Sequence, residues 1–193
     1  MIARIVAPAL AALLVGAAVT ATARAAGPSA VVKRGEYLVV TGACADCHTP
    51  MKMGANGPEP DMSRMLSGHP EGLVMPPAPK LPPGPWLVVS SATNTAWAGP
   101  WGVSFTANLT PDDDTGLGRW TVKQFIETIR TGRHLGVGRP VLPPMPIPSY
   151  RHFSDADLAA IFAYLQSIPP VRNRVPQPLP PAEATQSATA AKK

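Results

Sequence analysis

Apolar positions fall at helical spacing in three stretches after residue 27 and lose that rhythm between them. The first runs from about Val32 to Ala43, where Tyr37, Val40 and Cys44 are spaced to share a face, and Gly42 weakens its end. The second opens on Thr121-x-x-Gln124, a capping box, and Val122, Phe125, Ile126 and Ile129 keep the i, i+3, i+4, i+7 spacing until Gly132 closes the helix. The third opens on Ser154-x-x-Asp157 and carries Leu158, Ile161, Phe162 and Leu165 toward Pro169-Pro170, which stop it. Residues 49 to 118 are different: Pro, Gly, Asn and Ser dominate, and Pro76-Pro77, Pro79 and Pro82-Pro83-Gly84-Pro85 forbid a continuous helix or central strand. Leu87-Val88-Val89 and Val103-Ser104-Phe105 could form a short hairpin or isolated extended pieces. The pattern predicts an all-α fold with a long Pro/Gly-rich loop insertion, its function either to wrap something or to offer a docking surface; a solvated loop is the plainer alternative.

A fourth apolar run, Ile5 to Val19, lies outside these elements. Arg4 before it and Ala23-Arg24-Ala25 after it make residues 1–26 an export signal with cleavage near Ala25 or Ala26. An uncleaved anchor, and with it membrane association, is the competing reading; the small-x-small site and the weak hydrophobicity of the run favour cleavage. Residues 27–176 then form one domain, and 177–193, rich in Pro, Ala, Thr and Gln, form a disordered tail. Loss of Arg4 and Arg24 with the signal lowers the formal charge from +5 to +3, and no basic run or aromatic ladder points to nucleic acid.

The chemistry is concentrated in Cys44-Ala45-Asp46-Cys47-His48, which contains both cysteines of the chain. In an exported protein C-x-x-C-H is the attachment sequence of a c-type haem: the two thiols add to the vinyl groups and the histidine binds iron. A thioredoxin-like dithiol would need a βαβ context that is missing, and a structural zinc site would need two more ligands at paired spacing. Met145, in Leu142-Pro143-Pro144-Met145-Pro146, is the leading candidate for the opposite iron ligand, because fixed proline dihedrals would hold its thioether in place. It could instead fill a core gap, and Met51, Met53, Met62, Met65, Met75, His69, His134 and His152 are rivals. With His48 and Met145 both bound, iron would keep no free position, which suits single-electron transfer rather than catalysis. An open or exchangeable sixth position would instead make a haem enzyme or a ligand sensor.

Gly35-Glu36-Tyr37-Leu38, Cys44 to His48, the helix from Thr121, the Met145 loop and the helix from Ser154 together resemble a class I cytochrome c domain over about residues 31 to 176. The resemblance implies helices around one covalent haem c, with the first and last helices crossing at Gly35 and Tyr164. Asn108-Leu109-Thr110-Pro111-Asp112, Thr115 to Thr121, Pro143-Pro144-Met145-Pro146 and Ala163-Tyr164-Leu165 through Val171 are similar to cytochromes that serve periplasmic dehydrogenases. Several of those subunits carry more than one haem; this chain has one C-x-x-C-H and resembles one module. By that likeness a dehydrogenase is the donor, and another cytochrome or a terminal oxidase the acceptor. Trp120 and Arg119 become candidates to hydrogen-bond a haem propionate, with Arg133 and Arg139 behind them, although Trp120 equally fits a plain core position.

Overall fold

The computed structural model describes residues 28–181. The expected export signal, residues 1–26, and positions 182–193 of the expected tail lie outside the described residues. Helix α1 spans Ala30–Thr41, with the Ser29 hydroxyl accepting from the Val32 amide at 3.3 Å. Helix α2, Cys44–His48, follows after a left-handed Ala43. Helix α3 is Val122–Thr131; both halves of the Thr121–Gln124 capping box form, and Gly132 ends it with φ of 66°. A short helix α4, Ile147–Tyr150, precedes α5, Asp155–Leu165, whose first turn is capped by Ser154.

Helices α1 and α5 cross at Gly35. A Cβ built there would lie 1.9 Å from the Ala160 carbonyl oxygen and 2.8 Å from Tyr164 Cβ, so only glycine allows the two backbones to come so close. The buried face of α1 is Gly35, Leu38 and Val39, while Tyr37 and Val40 are exposed. The expected face through Tyr37 and Val40 is therefore turned by about one residue (roughly 100° at 3.6 residues per turn). Leu38 and Val39 join Leu117, Phe125, Ile129, Leu158, Ile161 and Leu165 in one core.

The expected all-α fold is corrected by two antiparallel sheets between residues 51 and 105. Strands β1 (Met51–Gly54) and β2 (Gly57–Pro60) form a hairpin in which Gly54 faces Gly57 across Ala55-Asn56. Strands β3 (Val89–Ser90), β4 (Ala96–Gly99) and β5 (Gly102–Phe105) form a second sheet in that order, and Gly99 faces Gly102 across Pro100-Trp101. The two-residue turns end in glycines with φ of 117° (Gly57) and 96° (Gly102), which few other residues tolerate. The extended pieces around Val89 and Val103 do exist, but β4 lies between them and they do not pair with each other.

Residues 171–179 stitch the insertion to the helices. Asn173 is buried; its Nδ2 donates to the Ser67 and His69 carbonyls at 2.7 and 2.8 Å, and its Oδ1 accepts from Arg64 and from the Glu71 amide, both at 2.8 Å. Further on, Leu179 and Val103 exchange two backbone hydrogen bonds of 2.9 Å. Residues 177–181, expected at the start of the tail, thus run alongside β5. No helix among the described residues is long and apolar enough to cross a membrane.

Candidate haem cavity

A cavity of about 540 Å³ opens between α3, α5, the 104–109 segment and residues 174–178. Its wall is mostly hydrocarbon, with Phe125, Ile129, Leu158, Ile161 and Leu165 reaching it from the two long helices. Cys44, Cys47 and His48 lie on this wall, and so do Met145 and Trp120. All five residues singled out from the sequence are therefore brought to one cavity, although Cys44 and Met145 lie 101 positions apart.

Helix α2 places Cys44, Cys47 and His48 together. The left-handed Ala43 breaks α1 from α2, so Cys44 and Cys47 fall one turn apart and His48 ends the turn. His48 is buried, and its Nδ1–H donates to the Ala107 carbonyl at 2.8 Å. A carbonyl only accepts, so Nδ1 carries the proton and Nε2 keeps its lone pair. Burial lowers the pKa of this imidazole, with the Ala107 bond acting in the opposite sense, and the neutral ring is the form that can bind a metal. An imidazole oriented by a backbone carbonyl through its second nitrogen is the usual arrangement of a metal ligand.

The two cysteines carry free thiols, not a disulfide. Burial pushes the Cys44 thiol up to about 11, and burial with the Asp46 carboxylate raises Cys47 as well. A redox dithiol needs a depressed thiol pKa, so this environment argues against thiol–disulfide chemistry.

Met145 packs half-buried against the core, and it alone among the described methionines lines the space. Trp120 meets the His134 ring edge-on at 5.0 Å, and its Nε1 makes no hydrogen bond with the described residues. His134 and Arg139 also line the cavity, as does Arg119, whose guanidinium is paired with Asp114 at 3.1 Å. Arg133 and His152 are not on the wall.

His69 is buried elsewhere, with both ring nitrogens engaged: Nε2–H donates to the Leu73 carbonyl and Nδ1 accepts from the Thr95 hydroxyl, each at 2.9 Å. It is not available to iron. Burial holds its pKa below the ordinary value, against the Leu73 bond, which raises it. The unfolded chain, with an ordinary histidine near about 6.5, takes up this proton first. Stability from the neutral ring is therefore present above that pH and is lost as pH falls through the folded value. We expect the urea midpoint of the protein to fall between pH 7 and pH 5, and to fall less in His69→Gln.

Sequence reasoning did not find Ala107, Ser104, Tyr150 or Asn173. The Tyr150 hydroxyl, on the cavity wall, donates to the Gly42 carbonyl just before the cysteines. These residues act through backbone carbonyls, which leave no mark in residue type. The insertion is divided: residues 104–109 line the cavity, whereas Val74, Trp86 and Leu87 are strongly exposed.

The cavity suits a flat apolar cofactor. Its volume lies in the range of roughly 300–1,000 Å³ typical of such sites, and its only thiols sit beside an imidazole with a free lone pair.

Comparison with known proteins agrees. The family model described as cytochrome c matches residues 32–169. A nicotinate dehydrogenase subunit of Pseudomonas putida is 31% identical over 77% of this chain and 9% of that protein. The gluconate 2-dehydrogenase cytochrome c subunit of Pantoea cypripedii is 32% identical over 74% of the chain and 24% of its own length. The alcohol dehydrogenase (quinone) cytochrome c subunit of Gluconacetobacter polyoxogenes is 29% identical over 86% and 28% respectively. The chain thus spans less than a third of the length of these relatives. It belongs to the cytochrome c family, whose members carry electrons through covalently bound haem c.

Proposed function

We propose that this chain is a periplasmic single-electron carrier with one haem c. Cys44 and Cys47 hold the haem through thioethers, His48 is its proximal iron ligand and Met145 its distal one. Trp120 offers its Nε1–H to a propionate. The haem, when bound, supplies the one-electron couple; the protein supplies attachment, axial ligands and an apolar wall. The observation that carries this reading is the convergence of Cys44, Cys47, His48 and Met145 on one cavity, with the His48 Nδ1–H committed to Ala107. Export rests on residues 1–26, and a single haem on the single C-x-x-C-H. A dehydrogenase is the proposed donor, and another cytochrome or a terminal oxidase the acceptor, since three relatives are named as dehydrogenase subunits.

Mass spectrometry and optical spectra of the exported protein test this together. The expected product begins near Ala26 or Gly27, carries one haem that acidic acetone does not extract, and shows a methionine–iron charge-transfer band when oxidised. A colourless protein would overturn the haem reading. A red protein that lacks this band and binds carbon monoxide or cyanide at once would overturn the Met145 assignment and favour an open sixth position.

A further inference from the structure

The loop that carries Met145 has few means of holding itself. Pro143, Pro144 and Pro146 have no amide proton to donate. The Met145 carbonyl accepts from the Ile147 amide at 2.8 Å, a bond within the same segment. Among the described residues, one hydrogen bond ties residues 142–146 to anything beyond the α4 turn that follows them: the Ser104 hydroxyl donates to the Pro143 carbonyl at 2.6 Å. Ser104 is buried on β5 and lines the cavity.

The hydroxyl is aimed by its surroundings. Trp101 Nε1–H donates to Ser104 Oγ at 3.3 Å, which occupies a lone pair and leaves the single hydroxyl proton for an acceptor. The Trp97 carbonyl lies 3.4 Å away and the Pro143 carbonyl 2.6 Å away, so the shorter bond takes the proton. Strand β5 is itself fixed on both edges, by β4 on one side and by Leu179 on the other. Three residues after Ser104, the same segment offers the Ala107 carbonyl to His48. One short stretch, 104–107, therefore touches the supports of both sides of the cavity.

We infer that Ser104 is a positioning residue for the distal ligand, holding the Met145 loop against the haem through the Pro143 carbonyl. This rests on the reading of Met145 as that ligand. It gives the inserted sheet a role in the redox site: the second sheet is the anchor of a proline loop that cannot anchor itself.

Cyanide reaches ferric iron only when the methionine has left, so its association rate reports how often the loop opens. In purified Ser104→Ala holoprotein the haem remains attached and the methionine–iron band weakens. Cyanide association rises about fivefold, the opening expected from loss of one hydrogen bond worth about 1 kcal/mol. Ser104→Thr, which keeps a hydroxyl, stays within about twofold of the natural protein. A purely structural serine would lower the urea midpoint without moving the band or the cyanide rate. That result in Ser104→Ala, with the band intact in the natural protein, overturns the inference and leaves Met145 as ligand. Absence of the band from the natural protein, with rapid cyanide binding, overturns both readings and is seen before any variant is made.

Discussion

Met145→Ala is expected to leave the haem attached, abolish the methionine–iron band, lower the reduction potential and let carbon monoxide bind the ferrous protein. Under the proposed function attachment depends on Cys44 and Cys47, which lie with His48 on α2, far along the chain from the Met145 loop. The potential falls because a thioether favours ferrous over ferric iron. A hundredfold loss of that preference reads as a fall of about 120 mV, at about 59 mV per tenfold for one electron, and a fall of this order is the expected scale. If Met145 only filled a gap in the core, truncation would cost about 2–5 kcal/mol of stability and leave the spectrum unchanged. Redox titration and the oxidised spectrum separate the two, and a retained methionine band in the variant would remove Met145 from the iron. Besides His48, His134 is the other described histidine on the wall. Its imidazole is held below the ordinary value by burial and by the Arg139 charge, which keeps the ring neutral and able to ligate.

The three long helices and the attachment sequence could be read from residues because their causes are local. Thr121 and Gln124 cap each other across three positions, and Gly132 takes the left-handed turn that ends α3. The sheets were missed for a physical reason: the proline-rich composition that excludes helix also masks short strands. Asn56-Gly57 and the Gly99–Gly102 turn are hairpin signals, but the strands they join are only four residues long, and of them only β5 alternates in burial. The buried face of α1 was misplaced because Gly35, the residue that decides the crossing, contributes nothing to an apolar pattern. Asn173 and Leu179 could not be read at all, since their partners lie between 58 and 109 positions earlier in the chain. At the site, the residue types that carry chemistry were visible, and the carbonyls that aim them were not.

Gly35→Ala should test the framework that brings those residues together, and its effect on stability should be among the largest of any single added methyl group. In an isolated helix alanine is about 1 kcal/mol better than glycine, so local propensity alone predicts a gain. Here the added Cβ would meet the Ala160 carbonyl oxygen at 1.9 Å, its carbonyl carbon at 2.6 Å and Tyr164 Cβ at 2.8 Å. None of these is the end of a flexible side chain, so no rotamer change makes room and α1 must move away from α5. That movement opens the core around Leu38, Val39, Leu158, Ile161 and Leu165, and overpacking of this kind costs about 3 kcal/mol or more. Out of a total stability of roughly 5–15 kcal/mol this is a large fraction, readable as a lower urea midpoint in the holoprotein. Gly72→Ala is the control, because nothing lies within 4 Å of a Cβ there, and it should be nearly neutral. A Gly35→Ala protein as stable as that control would mean the helices do not cross as described. The consequence would reach the cavity, since α1 leads through Gly42 and Ala43 to Cys44, while α5 lines it with Leu158, Ile161 and Leu165. One glycine at the crossing therefore bears on two parts of the cavity wall, the Cys44–His48 turn that follows α1 and the apolar side chains of α5.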